Sequence, residues 1–440
     1  MYMSNVIVIG GGLAGCEASW FIANSGFEVD LYEMRPEKNT EAHKTGYLSE
    51  LVCSNSFKSM LIPSAPALLK EEMKILDSLI MSAANQTSLP AGSALAVDRT
   101  MFSKRITETI ENHPKINLIR KEITEIPRTD SPVIIASGPL TSKSFADEIC
   151  KIVGNNQLYF YDAISPIITG ESIDMDIAYK ASRYNKGGDD YINCPMSEKI
   201  YDSFLKELLN ADRFPPREFE EMKFYEGCIP IEELALRGRL TLAFGALKPV
   251  GLPDPKTWED PFAVVQLRSD NGAFDAYGMV GFQTQLLQKE QRRVFRMIPG
   301  LEKAEFIRYG SLHRNTYINT PKLLSPMLKL RKNKNIIFAG QLIGVEGYLE
   351  SAATGIIAGI SVVNILKKVE PKTPPNTTLI GALLRYISSM TIEKLDPMNV
   401  NFGLLRPFDV RIKNKKKRKH MYCERAVQEI TEWKSKWINS

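Results

Sequence analysis

Six cysteines, at 16, 53, 150, 194, 228 and 423, are the strongest nucleophile candidates in a chain whose four histidines are dispersed. A thiolate is a potent nucleophile, and its setting decides whether it reacts or merely packs. Cys16 and Cys150 lie on helical, apolar-patterned stretches and read as core, Cys194 precedes a proline and reads as structural, and Cys423 falls in the C-terminal segment. Cys53 lies in LVCSNSFKS, a loop of small polar residues with Lys58 nearby. Cys228 lies in EGCIPIEE, where Pro230 suits the first turn of a helix. The positive end of that helix would lower the thiol pKa, against the opposite pull of Glu226, Glu232 and Glu233. On residue types alone, each of these two is either an exposed thiolate or a buried small hydrophobe. The chain has no C-x-x-C pair, which argues against a disulfide reductase, and no H-E-x-x-H or Cys/His cluster, so no metal centre is expected.

A second set of residues points to a nucleotide. Gly10, Gly12 and Gly15 of GGGLAG match G-x-G-x-x-G directly after the apolar run VIVI at 6–9. A helical stretch from Cys16 to Asn24 follows, Gly26 can close it, and residues 29–32 form a second strand ending in Glu33. Strand, loop, helix and strand in this order, with an acid at the end, make a dinucleotide-binding fingerprint. The glycines permit the tight turn and close backbone approach. Amides of Gly11, Gly12, Leu13 and Ala14 at the helix start then meet a pyrophosphate, and Glu33 accepts from ribose hydroxyls.

The elements that must position these groups come from both ends of the chain. NIIFAG at 335–340 reads as a strand ending in Gly340, followed by Gln341 and a helix from Glu350 to Leu366. In flavoproteins of the Rossmann type such a strand ends in Gly-Asp and lines the ribityl chain. Here Gln341 takes the place of the Asp. VIIASG at 133–138 reads as another core strand. Beyond about 165 the texture becomes polar, aromatic and alternating, as in YNKGGDDYINCPM and FAVVQL, which predicts an antiparallel sheet. The expected architecture is α/β: a Rossmann-type FAD-binding domain built from residues 1–165 and 330–440, with an inserted α+β domain at 166–329 carrying a mixed or antiparallel sheet.

With these motifs in place, the chain resembles the folate- and FAD-dependent tRNA (uracil-5-)-methyltransferases, relatives of the larger tRNA-modifying GidA flavoproteins. The resemblance runs through VIVIGGGLAG, SELVCSNSFKS, LPAGSALAVDR, ASGPLTS, YINCPM, FYEGCIPIEELA, FAGQLIGVEGYLESAATG and PMNVNFGLL, nearly the whole chain. It implies that methylenetetrahydrofolate gives a methylene group to N5 of reduced FAD. The flavin passes it to C5 of a uridine, taken to be the T-loop uridine of tRNA, and NADH or NADPH restores the flavin. The family's two functional cysteines map onto Cys53 and Cys228. The chemistry agrees, because a thiolate adding at C6 of uracil makes C5 nucleophilic and a second group must then remove the C5 proton. Cys228 is assigned as the C6 nucleophile and Cys53 as the base or flavin-side partner. Matched residues with further implied roles are Arg99 near flavin or folate, Tyr348 stacked on a flavin or pterin ring, and His313 with Arg314 on RNA phosphate or a folate carboxylate. The same motifs would serve a ribosomal RNA uridine, and an RNA-binding flavoprotein without activity would not need the cysteine pair.

Charge and composition bound the rest. The chain has 440 residues, 44% hydrophobic and 24% charged, which fits globular domains and excludes disordered, collagen-like or coiled-coil classes. The net charge of +5 conceals the run RIKNKKKRK at 411–419, with seven basic residues and no acid, so the remainder is slightly acidic. Such a run is either a solvated face or a contact for a polyanion such as tRNA. No Lys or Arg precedes Arg35, and the uncharged stretch at 351–366 is too short to span a bilayer, so a cytoplasmic protein without membrane contact is expected. The oligomeric state is left open.

Overall fold

The computed structural model describes residues 5–154, 157–185, 187–214, 224, 228–256 and 260–438, with backbone alone at 157–160 and Arg314. Val6–Ile9 is apolar throughout and almost wholly buried, as a strand covered on both faces must be. It is paired in parallel with Val29–Glu33 on one side and Val133–Ile135 on the other. The six-stranded sheet runs Lys329–Leu330, Asn333–Phe338, Val133–Ile135, Val6–Ile9, Val29–Glu33, Ile116–Arg120, and only the Lys329–Leu330 edge is antiparallel. Both ends of the chain therefore feed one sheet, and Val6–Ile9 lies where the strand order reverses. In open sheets of this kind, that switch point is where ligands bind.

Leu13–Asn24 and Tyr348–Leu366 are the helices packed beside this point. The first begins three residues earlier than the composition predicts, with Gly12 as its cap, and the second begins at Tyr348 rather than Glu350. Tyr348–Leu366 is apolar and long enough to cross a membrane, yet 89% of its most apolar window is buried inside the molecule, so it serves here as a core helix. The two helices touch at backbone distance. A Cβ added to Gly355 would lie 2.2 Å from the Ala14 carbonyl oxygen.

The second sheet is antiparallel and ordered Tyr179–Lys180, Tyr191–Met196, Ala263–Ser269, Ala276–Met279, Ile167–Thr169, Phe306–Arg308. Its own core gathers buried side chains from Ile168 to Ala304, including Phe204 and Leu208 of helix Glu198–Asn210 and Val294 and Phe295 of helix Gln288–Phe295. A two-stranded ribbon, Gln157–Ile164 against Ser311–Ile318, joins this sheet to the first. The last helix, Lys415–Trp437, is docked by Tyr422, Cys423, Ala426, Ile430 and Trp433.

Buried carboxylates tie distant helices together. Glu17 accepts hydrogen bonds from the amides of Leu79 (3.0 Å) and Ile80 (3.0 Å), at the start of helix Leu79–Gln86. Glu72 does the same for Leu379 (2.7 Å) and Ile380 (2.9 Å), at the start of helix Leu379–Ile387. Each supplies an acceptor that the helix end lacks.

The helix crossing gives a direct test. Gly355→Ala must push Ala14 and the glycine-rich turn outward, at a cost of about 1–3 kcal/mol typical of overpacking. The variant is expected to melt earlier in a thermal scan and to purify with less bound flavin than the parent.

Candidate active site

The glycine-rich turn prepares an anion site. Helix Leu13–Asn24 has no side-chain cap, and a Cβ at Gly12 would meet nothing within 4 Å, so the space in front of the first amides is open. Gly15, by contrast, has no room for a side chain, since its Cβ would sit 1.8 Å from the Gly10 carbonyl oxygen. Free amides of Gly12, Leu13 and Ala14, a positive helix end and an open cradle fit a dinucleotide pyrophosphate. A small cavity beside them, lined by Gly10, Tyr32, Glu33, Lys121 and Ser137, continues the crevice.

Glu33 is more occupied than its motif suggests. Its carboxylate accepts from the Gly11 amide (2.9 Å) and from the Arg35 amide (3.0 Å) and Nε (2.9 Å). Burial pushes Glu33 up, but Arg35 and these bonds outweigh it and hold the acid below its ordinary value. The late strand ends at Phe338, two residues before the expected Gly340, which turns the chain at φ +81° with its amide on Thr354 Oγ1 (2.9 Å), and Gln341 Nε2 is bonded to Glu346 Oε1 (3.0 Å).

From the glycine turn the chain passes through Ser49, whose amide donates to the Gly11 carbonyl (2.9 Å), and reaches Cys53. The SNS after Cys53 clamps its loop to the inserted sheet. Asn55 donates to the carbonyls of Val97 and Ser269, both at 2.9 Å, while Arg268 donates to Asn55 Oδ1 (2.9 Å) and Ser54 Oγ (2.8 Å). Tyr348, at the start of the late helix, uses its hydroxyl to accept from the amides of Cys53 (3.0 Å) and Ser54 (3.1 Å), and its ring packs on Phe57. The Tyr348 hydroxyl is thus committed to the cysteine loop.

Cys228 arrives from the other side. Its Sγ, the Cys53 Sγ and an Asp162 carboxylate oxygen lie within 4.8 Å of one another. Residues 175 apart in sequence meet because the ribbon carrying Asp162 and the turn before helix Ile231–Leu236 close over the Cys53 loop. The expected activation of Cys228 by that helix is overturned. Pro230 is its cap rather than its first turn, and the helix has only six residues. The Cys228 thiol is pushed up instead, first by the hydrogen bond it shares with Cys53, then by burial and by the charge of Asp162. Cys228 therefore holds its proton in the resting pocket.

The cations differ from the expectation as well. Lys58 turns away from Cys53 to Asn399 and lies 3.8 Å from Glu350. Arg308 faces the cysteine loop instead, donating to the carbonyls of Val52 (3.2 Å) and Cys53 (3.3 Å). Arg99 is held by Asp270 through Nε (3.1 Å) and Nη2 (2.7 Å) and also reaches the Leu51 carbonyl. His313 is buried, with Nε2 2.9 Å from Ser311 Oγ. Burial holds its imidazole below its ordinary value, so it offers no fixed charge to RNA or folate. The Arg314 side chain lies outside the described residues. Cys16, pushed up to about 12 chiefly by burial, and the buried Cys194 belong to the cores. Asp162 and Arg308 were missed by sequence reasoning, because neither belongs to a local motif and only the fold brings them to the thiols.

A parallel sheet with an open, uncapped helix start at its switch point, joined to an antiparallel domain that delivers a thiol, defines a two-domain dinucleotide-binding protein of the flavoprotein type. Known proteins agree. The family model for glucose inhibited division protein A matches residues 5–370. Methylenetetrahydrofolate–tRNA-(uracil-5-)-methyltransferase TrmFO of Persephonella marina is 52% identical over 99% of this chain and 100% of its own length. The protein of that name from Natranaerobius thermophilus is 54% identical over 97% of this chain and 98% of its own. Among solved structures, GidA of Aquifex aeolicus superposes with a TM-score of 0.72 at 16% identity, over 98% of this chain and 73% of that one, a likeness of fold. The chain belongs to the glucose inhibited division protein A family and stands with its TrmFO members.

Tyr348→Phe isolates the role of the hydroxyl. Two amides lose their acceptor, at about 1–3 kcal/mol, and the Cys53 loop loosens. Cys53 is expected to react faster with iodoacetamide than in the parent, as followed by peptide mass spectrometry.

Proposed function

We propose that this chain methylates C5 of a tRNA uridine, the T-loop uridine being the target, with methylenetetrahydrofolate as one-carbon donor, FAD as prosthetic group and NADH or NADPH as reductant. The meeting of Cys53 and Cys228 beside a nucleotide crevice carries the reading. The names of relatives more than half identical over nearly their whole length support it. Six unpaired cysteines suit a cytoplasmic enzyme.

Gly10, Gly12, Leu13, Ala14 and Gly15 would hold the FAD pyrophosphate, with Glu33, to which the expected Gly11 amide is bonded instead, toward the ribose and Gly340 and Gln341 along the ribityl side. Bound and reduced FAD supplies the transfer of the one-carbon unit and the reducing equivalents that complete a methyl group. The protein's own contribution is at the base. Cys228 forms a bond from Sγ to C6 of uracil, and the electrons of the C5–C6 double bond move toward the O4 oxygen, leaving C5 nucleophilic. Cys53, on the flavin side and as the thiolate, takes the C5 proton once the new carbon is attached, and the C5–H electrons re-form the C5–C6 double bond as the Cys228 sulfur leaves C6. Tyr348 and Arg308 position Cys53 through its loop. Arg99 and Asp270 fix where the two domains meet. The division at 166 and 330 suits this arrangement, since the inserted domain brings Cys228 and the outer segments bring the crevice.

The exposed Lys415, Lys416 and Lys417, with Arg418 and Lys419 behind them, are assigned to tRNA phosphate. Phosphate contacts position a nucleic acid and carry no sequence information, which suits a patch outside the pocket.

Purified protein given methylenetetrahydrofolate, NADPH and unmodified tRNA is expected to produce 5-methyluridine by nucleoside analysis, and its absence from tRNA would overturn the proposal. Cys228→Ser is expected to abolish the covalent adduct with 5-fluorouridine tRNA. Replacing Lys415, Lys416, Lys417, Arg418 and Lys419 by Gln is expected to weaken tRNA binding and flatten its salt dependence, while bound flavin stays unchanged.

A further inference from the structure

Asp162 lies at the thiol pair without belonging to any motif. It sits on the joining ribbon, directly opposite His313, and its carboxylate takes hydrogen bonds from Cys228 and from Asn315. Oδ1 is sealed from solvent and, among the described residues, has no hydrogen-bond partner. No cation is paired with Asp162 among the described ion pairs. The titratable groups that face it are Cys53 and Cys228 from two loops, Glu346 from the turn before Tyr348, and His313 across the ladder. Burial is the main reason that Asp162 is raised and that Glu346 is raised well above its ordinary value. A buried carboxylate with a free lone pair beside a protonated thiol is arranged to receive a proton.

We propose that Asp162 is the general base that takes the Cys228 proton as the thiol attacks uracil. This rests on the assignment of Cys228 as the C6 nucleophile. The S–H bond breaks, the proton passes to the Asp162 carboxylate, and the sulfur electron pair forms the Sγ–C6 bond. The π electrons of C5–C6 move to O4, so the negative charge leaves the carboxylate for the uracil and Cys228 is never a free thiolate beside Asp162. When Sγ later departs from C6, Asp162 returns the proton. The pocket therefore needs no preformed Cys228 thiolate, which reconciles a raised thiol with a nucleophilic role.

The test compares the parent, Asp162→Asn, Asp162→Glu and Cys228→Ser as purified flavin-bound proteins, with flavin absorbance as the control for folding. Two readouts are followed over pH: the rate of adduct formation with 5-fluorouridine tRNA, and iodoacetamide labelling of Cys228 without RNA. Asp162→Asn is expected to slow adduct formation about 100-fold near neutral pH, with a smaller deficit at high pH. Its Cys228 should nevertheless label at lower pH, because the repelling charge is gone. Asp162→Glu, which keeps the base, should restore most of the adduct rate. A parental adduct rate in Asp162→Asn overturns the inference, whether or not labelling shifts. Slow adduct formation with unshifted labelling also overturns it, since it marks a structural loss. If Cys228→Ser still forms the adduct, the nucleophile assignment fails, while the labelling profile still reports whether Asp162 governs the Cys228 proton.

Discussion

Backbone contact between two helices, with Gly355 against Ala14, is the constraint on which the site depends. Ala14 lies in the first turn of the helix that follows the glycine-rich turn. Tyr348–Leu366 carries Tyr348 to the Cys53 loop, Glu350 to the Val400 amide (2.9 Å) and Thr354 to the Gly340 amide (2.9 Å). One rigid helix therefore sets the spacing between glycine-rich turn, Cys53 loop and C-terminal segment. Side chains at the crossing would widen that spacing and displace all three together, because packed interiors shift rather than compress.

The inserted domain meets the Cys53 loop and Arg99 through charge and amides. Asn55 and Arg268 bind the Cys53 loop to strand Ala263–Ser269, Arg99 and Asp270 form a forked ion pair, and Arg308 reaches two carbonyls of the loop. Such bonds need specific geometry, so they fix register between domains more sharply than apolar contact does. They also explain the composition of the loop after Cys53. Ser54 and Asn55 are there to be held, and Cys53 is exact in position because its neighbours are.

Local motifs made part of this legible in the sequence. The glycine turn, the late strand before Gly340 and the alternating strands of the insertion each follow from spacing within a dozen residues. The two cysteines stood out by their small polar or proline-flanked surroundings. Their electrostatics did not follow from sequence, because the groups that set them are distant. Lys58 is five residues from Cys53 yet pairs with Glu350, whereas Arg308 and Asp162 come from the ribbon and the inserted sheet. Helix-end activation of Cys228 failed for the same reason. A six-residue helix has a weak field, and a thiol and a carboxylate brought in by the fold outweigh it.

The basic run is explained poorly by stability and well by location. Lys415, Lys416 and Lys417 occupy the first turn of a 23-residue helix, where cations oppose the macrodipole at about 0.3–1 kcal/mol each. Asn414 recovers part of this by accepting from the Lys417 amide (3.0 Å), and the buried face from Tyr422 to Trp433 holds the helix in place. The charges thus sit where the fold tolerates them rather than where it benefits. Their position is fixed by aromatics, with Phe402 and Phe408 stacked on Tyr422 and Lys419 over the Phe402 ring. Phe402 lies two residues after Val400, and the Met398 carbonyl and Val400 amide are bound to Glu346 and Glu350 on either side of Tyr348. The ring contact of Lys419 with Phe402 and residues 398–402 connect the cationic helix to the segment around Tyr348, which in turn holds the Cys53 loop. With exposed charges screened beyond about 8 Å at physiological salt, attraction of a polyanion is useful only where the patch is tied closely to the pocket, and this connection provides that tie.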